Sequence, residues 1–498
     1  MSMGGPPSPA EADSRRLVGL CVSFFVLFFS FYGSQTQVTP TLGSFGSLSL
    51  GLLYGCLALT APLAPAVLRC LGCGAPRRSL RAEARALAMA SLLYVPFMVA
   101  CSDASRHHLQ LATSAILGCA AGLLWVAQGS LLTASTTASN RGRWSGTFWA
   151  MFMAGNSLGN FSAAAIVGAT SVSTMFLVLA GVCLLSSMLL VLLVRPRRMV
   201  PSFIDAYADP LVSSDRGGGG GNNNGGGGGG GGSGGDGSGG DNDDSASLFD
   251  DLQELLRALC QRESLSLLPL LIFIGAENAF WSGEFASLAS RFKGGAGGAS
   301  LAAGTLAAAE IAASLVAGVA VDRDWPTFGL IFGLVAFCAA LVLIQLCVVP
   351  QLAPVADRAD EPRLPWTAFL AAALMGIGDA AANTVVTARL GSLADEHGLF
   401  KREAAFQYFQ STNVAMMALA FVYAPYAPLE LGAPPVQPVG LCALALLGVV
   451  AFHCGLRSRR APPPGRGSRC ANQVNYINSV SVHHRSASGG PAEASLNE

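Results

Sequence analysis

Long apolar runs separated by short polar segments occupy most of the chain, and this pattern predicts membrane-spanning helices. A helix needs about 20 mainly apolar residues to cross a hydrocarbon core of roughly 30 Å. The predicted spans are residues 17–38, 47–71, 86–101, 109–132, 144–168, 173–194, 265–288, 299–321, 328–349, 366–393, 404–426 and 439–455. The pattern therefore predicts an all-α integral membrane protein, a bundle of 12 transmembrane helices in two six-helix halves.

The polar segments divide the chain into five regions. Residues 1–16 and 457–498 are predicted as tails, the second one disordered, and residues 17–195 and 265–456 as the two halves. Residues 196–264 form a linker whose Gly-rich centre, residues 216–244, has too little apolar surface to order itself. Leucines at helical spacing predict a short amphipathic helix near residues 247–260, lying either on the membrane surface or against the bundle.

Basic residues near the spans predict the orientation of the chain in the membrane. Lys and Arg are concentrated on the side that holds the N-terminus, whereas the opposite loops contain only Arg106, Arg291, Lys293, Arg358 and Arg363. Basic residues that flank spans stay preferentially on the cytoplasmic side. Both termini and the linker are therefore predicted to be cytoplasmic, in the plasma membrane or an endomembrane.

The composition is typical of a membrane protein, since 52% of the residues are hydrophobic and 12% are charged. Soluble domains contain roughly 25% charged residues. This apolar composition predicts the lipid bilayer as a partner. The formal net charge is zero, so nucleic acid is not expected as a partner. The first apolar run is long enough to span and has no small-residue cleavage site after a short core, so it is predicted to remain as an anchor.

No pattern typical of a catalytic, metal or cofactor site is present in the sequence. The 13 cysteines lie mostly in apolar runs, which favours buried free thiols over a disulfide framework. Cys70 and Cys73 form a close pair, but no second pair completes a zinc site. The Gly-rich linker lacks the Gly-Lys-Ser/Thr ending of a nucleotide-binding loop. No enzymatic activity, metal or cofactor is therefore expected.

Six spans, a long middle loop and six further spans resemble the layout of the major facilitator superfamily, whose halves are related by a pseudo-repeat. Gly318, Asp322 and Arg323, after the eighth span, resemble the G-x-x-x-D-R loop signature of that superfamily. The resemblance implies that these three residues form a conformational loop motif. The equivalent loop of the first half, residues 69–81, keeps only the basic residues.

Polar residues at membrane depth are the candidates for function, because an ionisable residue there is costly unless it has a partner or a cavity. Glu277 and Glu284 are seven residues apart and are predicted to share one helical face. One interpretation is a central cavity that binds a proton, a cation or a cationic solute; the other is that these groups only hydrogen-bond between packed helices. The candidates are Glu277, Asn278, Glu284, Asp379, Asn383, Gln128, Asn156 and Asn160.

Asp379 follows Gly376 and Gly378, which let a neighbouring helix approach closely. In the facilitator layout the seventh and tenth spans both face the space between the halves. The side chains of Glu277 and Asp379 are therefore predicted to point into one central cavity, within about 15 Å of each other. Two carboxylates in one low-dielectric site cannot both ionise cheaply, so one of them is predicted to hold a proton. Asp379→Asn is accordingly expected to impair function more than Glu310→Gln. The alternative is that Asp379 only hydrogen-bonds backbone around the glycines.

Several short motifs resemble those of the Unc-93-like family within this superfamily. They include Gly51-Leu-Leu-Tyr54-Gly55, Leu124-Trp125-Val-Ala-Gln128-Gly129, Phe148-Trp149-Ala-Met-Phe152 and Gly376-Ile-Gly378-Asp379-Ala380. The resemblance covers nearly all of the membrane portion and excludes the linker and both tails. It implies a regulator, accessory or trafficking partner of an ion channel or another membrane protein. The alternative is a secondary transporter of a small solute or cation, with or without proton coupling.

Overall fold

In the described part of this computed structural model, all regular secondary structure is helical, apart from one isolated β-bridge between Lys293 and Arg363. The structure describes residues 9–72, 81–103, 105–136, 141–194, 253, 256, 260–323, 325–352, 362–397, 402–423 and 436–460. The predicted disordered segment 216–244, most of the predicted amphipathic helix near residues 247–260 and the tail beyond residue 460 lie outside the described residues.

The helices follow one another along the chain in two groups. The first group contains α1 (Pro9–Leu42), α2 (Ser44–Thr60), α3 (Ala64–Gly72), α4 (Arg81–Leu92), α5 (Tyr94–Cys101), α6 (His107–Ala134), α7 (Arg141–Ala169) and α8 (Val172–Leu193). The second group contains α9 (Arg262–Ala279), α10 (Ala286–Ser290), α11 (Gly295–Asp322), α12 (Pro326–Leu343), α13 (Trp366–His397), α14 (Arg402–Tyr423) and α15 (Val436–Arg460). A π-helical turn, Phe280–Phe285, joins α9 to α10.

Ten helical segments among the described residues are long and apolar enough to cross a membrane. The fifth and eleventh predicted spans are not among these ten; they correspond to α7 and α14. These two helices are more polar, and they bury Asn156, Asn160 and Gln410. Helix α7 packs against α11, and α14 packs against α2, so each lies between the two halves. Polar side chains on these helices can therefore face protein instead of lipid.

The third predicted span is broken into α4 and α5 by a turn at Leu93. Pro96 has no backbone N–H, and its ring would clash with the carbonyl of the residue four positions earlier, which is Leu92. Helix α4 ends at Leu92 for this reason, and the Leu93 amide hydrogen-bonds to the Ala90 carbonyl at 3.1 Å instead. The first helix differs from its prediction in the other direction, because α1 begins at Pro9 and not at Leu17.

Two hydrophobic clusters form the interior of the bundle. One consists mainly of residues between Leu17 and Val194, and the other of residues between Leu267 and Phe452. Phe421 of α14 belongs to the first cluster although its helix belongs to the second half. Each half therefore has its own apolar core, and α14 joins one core to the other.

Direct hydrogen bonds also connect the halves. Near the end of α1, the Gln37 amide donates to the Ala296 carbonyl at 2.8 Å and to the Ser300 hydroxyl. In α7, the Ser157 hydroxyl donates to the Gly304 carbonyl at 2.9 Å. All of these contacts join the first half to α11, and they hold the halves together at the end of the bundle where α1 finishes and α11 begins.

Helices α1 and α7 approach closely because Gly159 has no side chain. A Cβ atom at Gly159 would lie 2.0 Å from the Phe29 carbonyl oxygen and 2.7 Å from its carbon. Backbone cannot yield as a flexible side chain can, so a methyl group here would force the helices apart. Gly168, on the same helix, has nothing within 4 Å of the equivalent position.

We expect Gly159→Ala to lower the thermal unfolding midpoint of the purified protein in detergent, because overpacking typically costs about 1–3 kcal/mol. Gly168→Ala is the matched control and should leave the midpoint unchanged or slightly raised, since alanine has the higher helix propensity. Scanning fluorimetry measures both. Equal midpoints for the two variants would contradict the close packing of α1 on α7.

Candidate functional site

A small cavity of about 80 Å³ lies between the two halves. The first half contributes an aromatic wall to this cavity, and the second half contributes polar side chains. The aromatic wall consists of Phe28, Phe31, Tyr32, Tyr54, Tyr94, Trp125, Trp149 and Phe152. The polar side chains are Asn278, Asp379, Asn383, Gln410 and Asn413.

Asp379 is the carboxylate that reaches the cavity, and two amides hold it in place. Its Oδ1 accepts a hydrogen bond from Asn383 Nδ2 at 2.5 Å, one helical turn further along α13. The same oxygen accepts a longer contact from Asn278 Nδ2 of α9 at 3.4 Å. Asp379 is only 2% exposed, so these amide donors replace water as its hydrogen-bond partners.

Asn278 also links Asp379 to Glu277. Its Nδ2 lies 3.2 Å from Glu277 Oε1, while it also contacts the Ile274 carbonyl at 2.8 Å. Because one nitrogen contacts both carboxyl groups, Glu277 and Asp379 lie well within the predicted separation of about 15 Å. Contrary to the prediction, Glu277 does not line the cavity, because it lies behind Asn278 and Asp379. Glu277 is fully buried, and its Oε2 has no hydrogen-bond donor in the described part of the chain.

Glu310 of α11 is the third member of this carboxylate cluster. It is 1% exposed, and neither of its carboxyl oxygens has a nitrogen or hydroxyl donor among the described residues. Its side chain packs against α13 at Gly376, one helical turn before Asp379, so it lies close to that carboxylate. Two unit charges about 4 Å apart repel by roughly 4 kcal/mol at an effective dielectric constant of 20. The three carboxyl groups therefore cannot all be ionised unless a cation lies beside them; otherwise at least one must be protonated.

Glycines in α13 bring this cluster together. A Cβ at Gly376 would lie 2.2 Å from the Leu306 carbonyl oxygen and 3.2 Å from Glu310 Cγ. A Cβ at Gly378 would lie 2.6 Å from Phe337 Cβ of α12. With any larger residue at these positions α13 would move away from α11 and α12, and Asp379 would separate from Glu310.

The aromatic wall faces the carboxylate cluster. Phe152 is its centre, with ring centroids 4.6 Å from Phe28, 5.5 Å from Tyr32 and 5.4 Å from Trp125. Tyr32 is also within electrostatic range of Glu310 and Asp379. Aromatic faces attract cations, most strongly where water is excluded. The cavity therefore combines carboxylate and aromatic groups, and both favour a positively charged occupant.

Glu284 does not join the cluster, although the sequence predicted that it shares a face with Glu277. It lines a separate groove of about 330 Å³, together with Phe280, Met416, Tyr423 and Gln437. The physical reason is the π-helical turn Phe280–Phe285, which lies between the two glutamates. Its i→i+5 hydrogen bonds widen the helix and rotate the following residues away from the face expected for a regular α-helix.

The polar candidates of the first half lie elsewhere. Asn156 and Asn160 are buried in α7 and pair with each other, with Asn160 Nδ2 2.8 Å from Asn156 Oδ1. Gln128 is buried in α6 and does not line the cavity.

The predicted loop motif lies at the far end of α11, which ends at Asp322. Arg323 follows as the cap residue and is exposed, and its amide hydrogen-bonds to the Val319 carbonyl at 3.1 Å. Gly318 has no neighbour within 4 Å of a Cβ position.

Sequence reasoning missed two parts of the site. Glu310 lies in the eighth predicted span but is not among the residues predicted to form the cavity. The aromatic wall was also missed, although Phe24, Phe28 and Tyr32 recur every four residues along α1 and signal one continuous aromatic face. Among the described residues, no group of three or more His, Cys, Asp or Glu is arranged to hold a metal ion.

Comparison with known proteins gives the family. A family model described as "Ion channel regulatory protein UNC-93" matches residues 44–453. The chain is 24% identical over 447 residues to the UNC93-like protein MFSD11 of Xenopus tropicalis, covering 84% of this chain and 92% of the relative. It is 25% identical over 432 residues to UNC93-like protein 3 of Arabidopsis thaliana, covering 82% and 80% respectively.

Comparison with solved structures gives the fold. A POT family transporter in complex with 5-aminolevulinic acid superimposes with a TM-score of 0.56 at 12% sequence identity, covering 88% of this chain and 94% of that one. A POT family transporter in complex with a thioalcohol-conjugated peptide gives a TM-score of 0.55, also at 12% identity, over 88% and 94%. These similarities confirm the predicted major facilitator-type bundle.

We expect Asn278 and Asp379 to be energetically coupled. In a double-mutant cycle with Asn278→Ala and Asp379→Ala, the interaction energy should be roughly 0.5–2 kcal/mol, because each single change removes the contact between the two side chains. Unfolding of the purified protein in detergent provides the free energies. The control cycle pairs Asp379→Ala with Gln128→Ala, which should be additive within about 0.5 kcal/mol. Additivity in both cycles would refute the contact.

Proposed function

This chain belongs to the UNC-93 family, and on that premise we propose that it is a multi-pass membrane carrier that binds a small cation in its central cavity. The cation is a monovalent ion or a small ammonium compound. The observation that carries this proposal is the cavity between the halves, where the buried carboxylate of Asp379 faces an aromatic wall. The facilitator-type fold supports it, since the solved structures similar to this chain are transporters.

The size of the cavity limits the solute. A cavity of about 150 Å³ holds one benzene molecule, and this cavity measures about 80 Å³. It therefore suits an ion or a compound with only a few heavy atoms in this conformation. The mixture of one cavity-facing carboxylate with aromatic rings favours a weakly hydrated single charge over a divalent metal, which prefers six or more oxygen ligands.

The location of the cavity supports transport by alternating access. Helices α7 and α11 form one seam between the halves, and α2 and α14 form the other. Rocking of the halves about these seams would expose Asp379 to each side of the membrane in turn. The distribution of Lys and Arg supports an orientation with both termini in the cytoplasm.

The family description favours a second candidate function, regulation or trafficking of an ion channel or another membrane protein. In that case the lipid-facing surface would bind the partner, and the carboxylate cluster would serve mainly to hold the helices together. Asp379 would bind the solute in the carrier, whereas in the regulator it would only support the packing of the helices.

For the carrier, we expect Asp379→Asn to reduce uptake of rubidium or radiolabelled methylammonium into proteoliposomes by about tenfold or more. Asparagine keeps an acceptor oxygen for Asn278 and Asn383 but removes the charge, and each 1.4 kcal/mol of lost binding is about tenfold. Glu284→Gln, in the separate groove, is the control and should transport normally. Uptake that does not saturate, or that is unchanged in Asp379→Asn, would be incompatible with the carrier.

For the regulator, we expect a change in the current or surface abundance of a co-expressed channel that is found by proximity labelling in the native cell. This change should persist in Asp379→Asn, because the variant leaves the lipid-facing surface unaltered. If the effect on the channel disappears together with cation uptake, it is a consequence of transport and not a separate regulatory role.

A further inference from the structure

We propose that Glu310 and Asp379 share one proton, and that a cation entering the cavity displaces this proton, so that the protein exchanges cations for protons. This inference rests on the proposed carrier function and specifies how that carrier is coupled. It concerns Glu310, which does not line the cavity and has no part in holding the solute directly.

The first support is the isolation of Glu310. Its carboxyl group is buried in α11 without a nitrogen or hydroxyl donor in the described part of the chain. Its Cγ lies 3.2 Å from the Cβ position of Gly376, which stands one helical turn before Asp379 on α13, so the two carboxyl groups are neighbours. Two carboxyl groups can form a hydrogen bond only if one of them carries a proton. A shared proton therefore satisfies Glu310, which otherwise would be a buried charge without compensation.

The second support is the division of the two Asp379 oxygens. Both amide contacts, from Asn278 and Asn383, go to Oδ1. Oδ2 is left for either the proton shared with Glu310 or a cation in the cavity. One oxygen cannot serve both at full strength, so binding of the proton and binding of the cation exclude each other.

The third support is the set of groups around the pair. Helix α9 contributes the carboxyl group of Glu277, and α1 contributes the phenol of Tyr32. Helix α12 presents the ring of Phe337 to α13, and α7 presents Ser157 to α11. Among these named groups the ionisable ones, Glu277 and Tyr32, are acids, so a positive charge or a proton would balance Asp379.

The exchange step conserves atoms and charge. Before binding, Glu310 is protonated and donates its O–H to the Asp379 carboxylate. As the cation reaches Asp379, the shared proton leaves for water in the cavity, and the cation takes its place beside the carboxylates. One proton is released for each monovalent cation bound, so the charge in the site does not change.

The experiment uses the full-length protein in detergent, at low buffer concentration, with a pH-sensitive dye and with rubidium and methylammonium as probes. We expect release of about one proton per bound cation, and an apparent affinity that increases about tenfold per pH unit while the pair is protonated. In Glu310→Gln the glutamine amide donates to Asp379 in place of the proton, so cations should bind without proton release. Glu284→Gln should release protons as the unaltered protein does.

The outcomes separate the two proposals. Cation binding without proton release in the unaltered protein would overturn the exchange and leave the carrier standing. Unchanged proton release in Glu310→Gln would overturn the assignment to Glu310. If neither probe binds at any pH, both the carrier and the exchange are wrong. The pH dependence of the unaltered protein tests the exchange even if Glu310→Gln fails to fold. Loss of proton release in Glu277→Gln would then overturn the assignment to Glu310.

Discussion

The cost of burying carboxyl groups at membrane depth is the constraint on which the centre of this protein depends. Glu277, Glu310 and Asp379 come from three different helices, and each is almost completely buried. A charge in this environment needs a partner, and three acids of the same sign cannot be one another's partners unless protons or cations join them. The amides of Asn278 and Asn383 meet only part of this need, because they donate to one oxygen of Asp379 and one of Glu277, and among the described residues no amide reaches Glu310.

Close helix packing keeps these costly groups together. Without a hydrophobic driving force between helices in lipid, small residues at the contact surfaces let backbones approach and gain dispersion contacts. Gly376 allows this close approach between α13 and α11, next to Cγ of Glu310. The same glycine therefore contributes to the stability of the second half and to the position of the cluster. Packing and chemistry cannot be varied independently at this residue.

Sequence patterns predicted the helices, the two groups of spans and the meeting of Glu277 with Asp379, because apolar run length and a two-half layout determine these features. They failed where the result depends on which helix faces which. The position of Glu310 beside Asp379 follows from the packing of α11 on α13, and helical spacing alone does not contain that information. Glu284 does not share a face with Glu277 as predicted, because the π-helical turn changes the rotation per residue along the helix. The residue types in Phe280–Phe285 do not indicate this turn. The break at Leu93 was more accessible, since Pro96 is visible in the sequence.

The hydrogen bonds from Gln37 to Ala296 and Ser300 have a consequence for the equilibrium of any motion between the halves. Together with the bond from Ser157 to Gly304, they must break before the halves can separate at the end of the bundle where α1 finishes. Each such bond contributes about 0.5–1.5 kcal/mol net, so three of them favour the joined arrangement by a factor of tens to thousands at equilibrium. The two bonds of Gln37 therefore stabilise the arrangement in which the halves are joined at this end. Their free energy is about as large as the coupling free energies by which ligands shift conformational populations. In a carrier that alternates between two orientations, an uncharged side chain that does not line the cavity would thus set part of the balance between them.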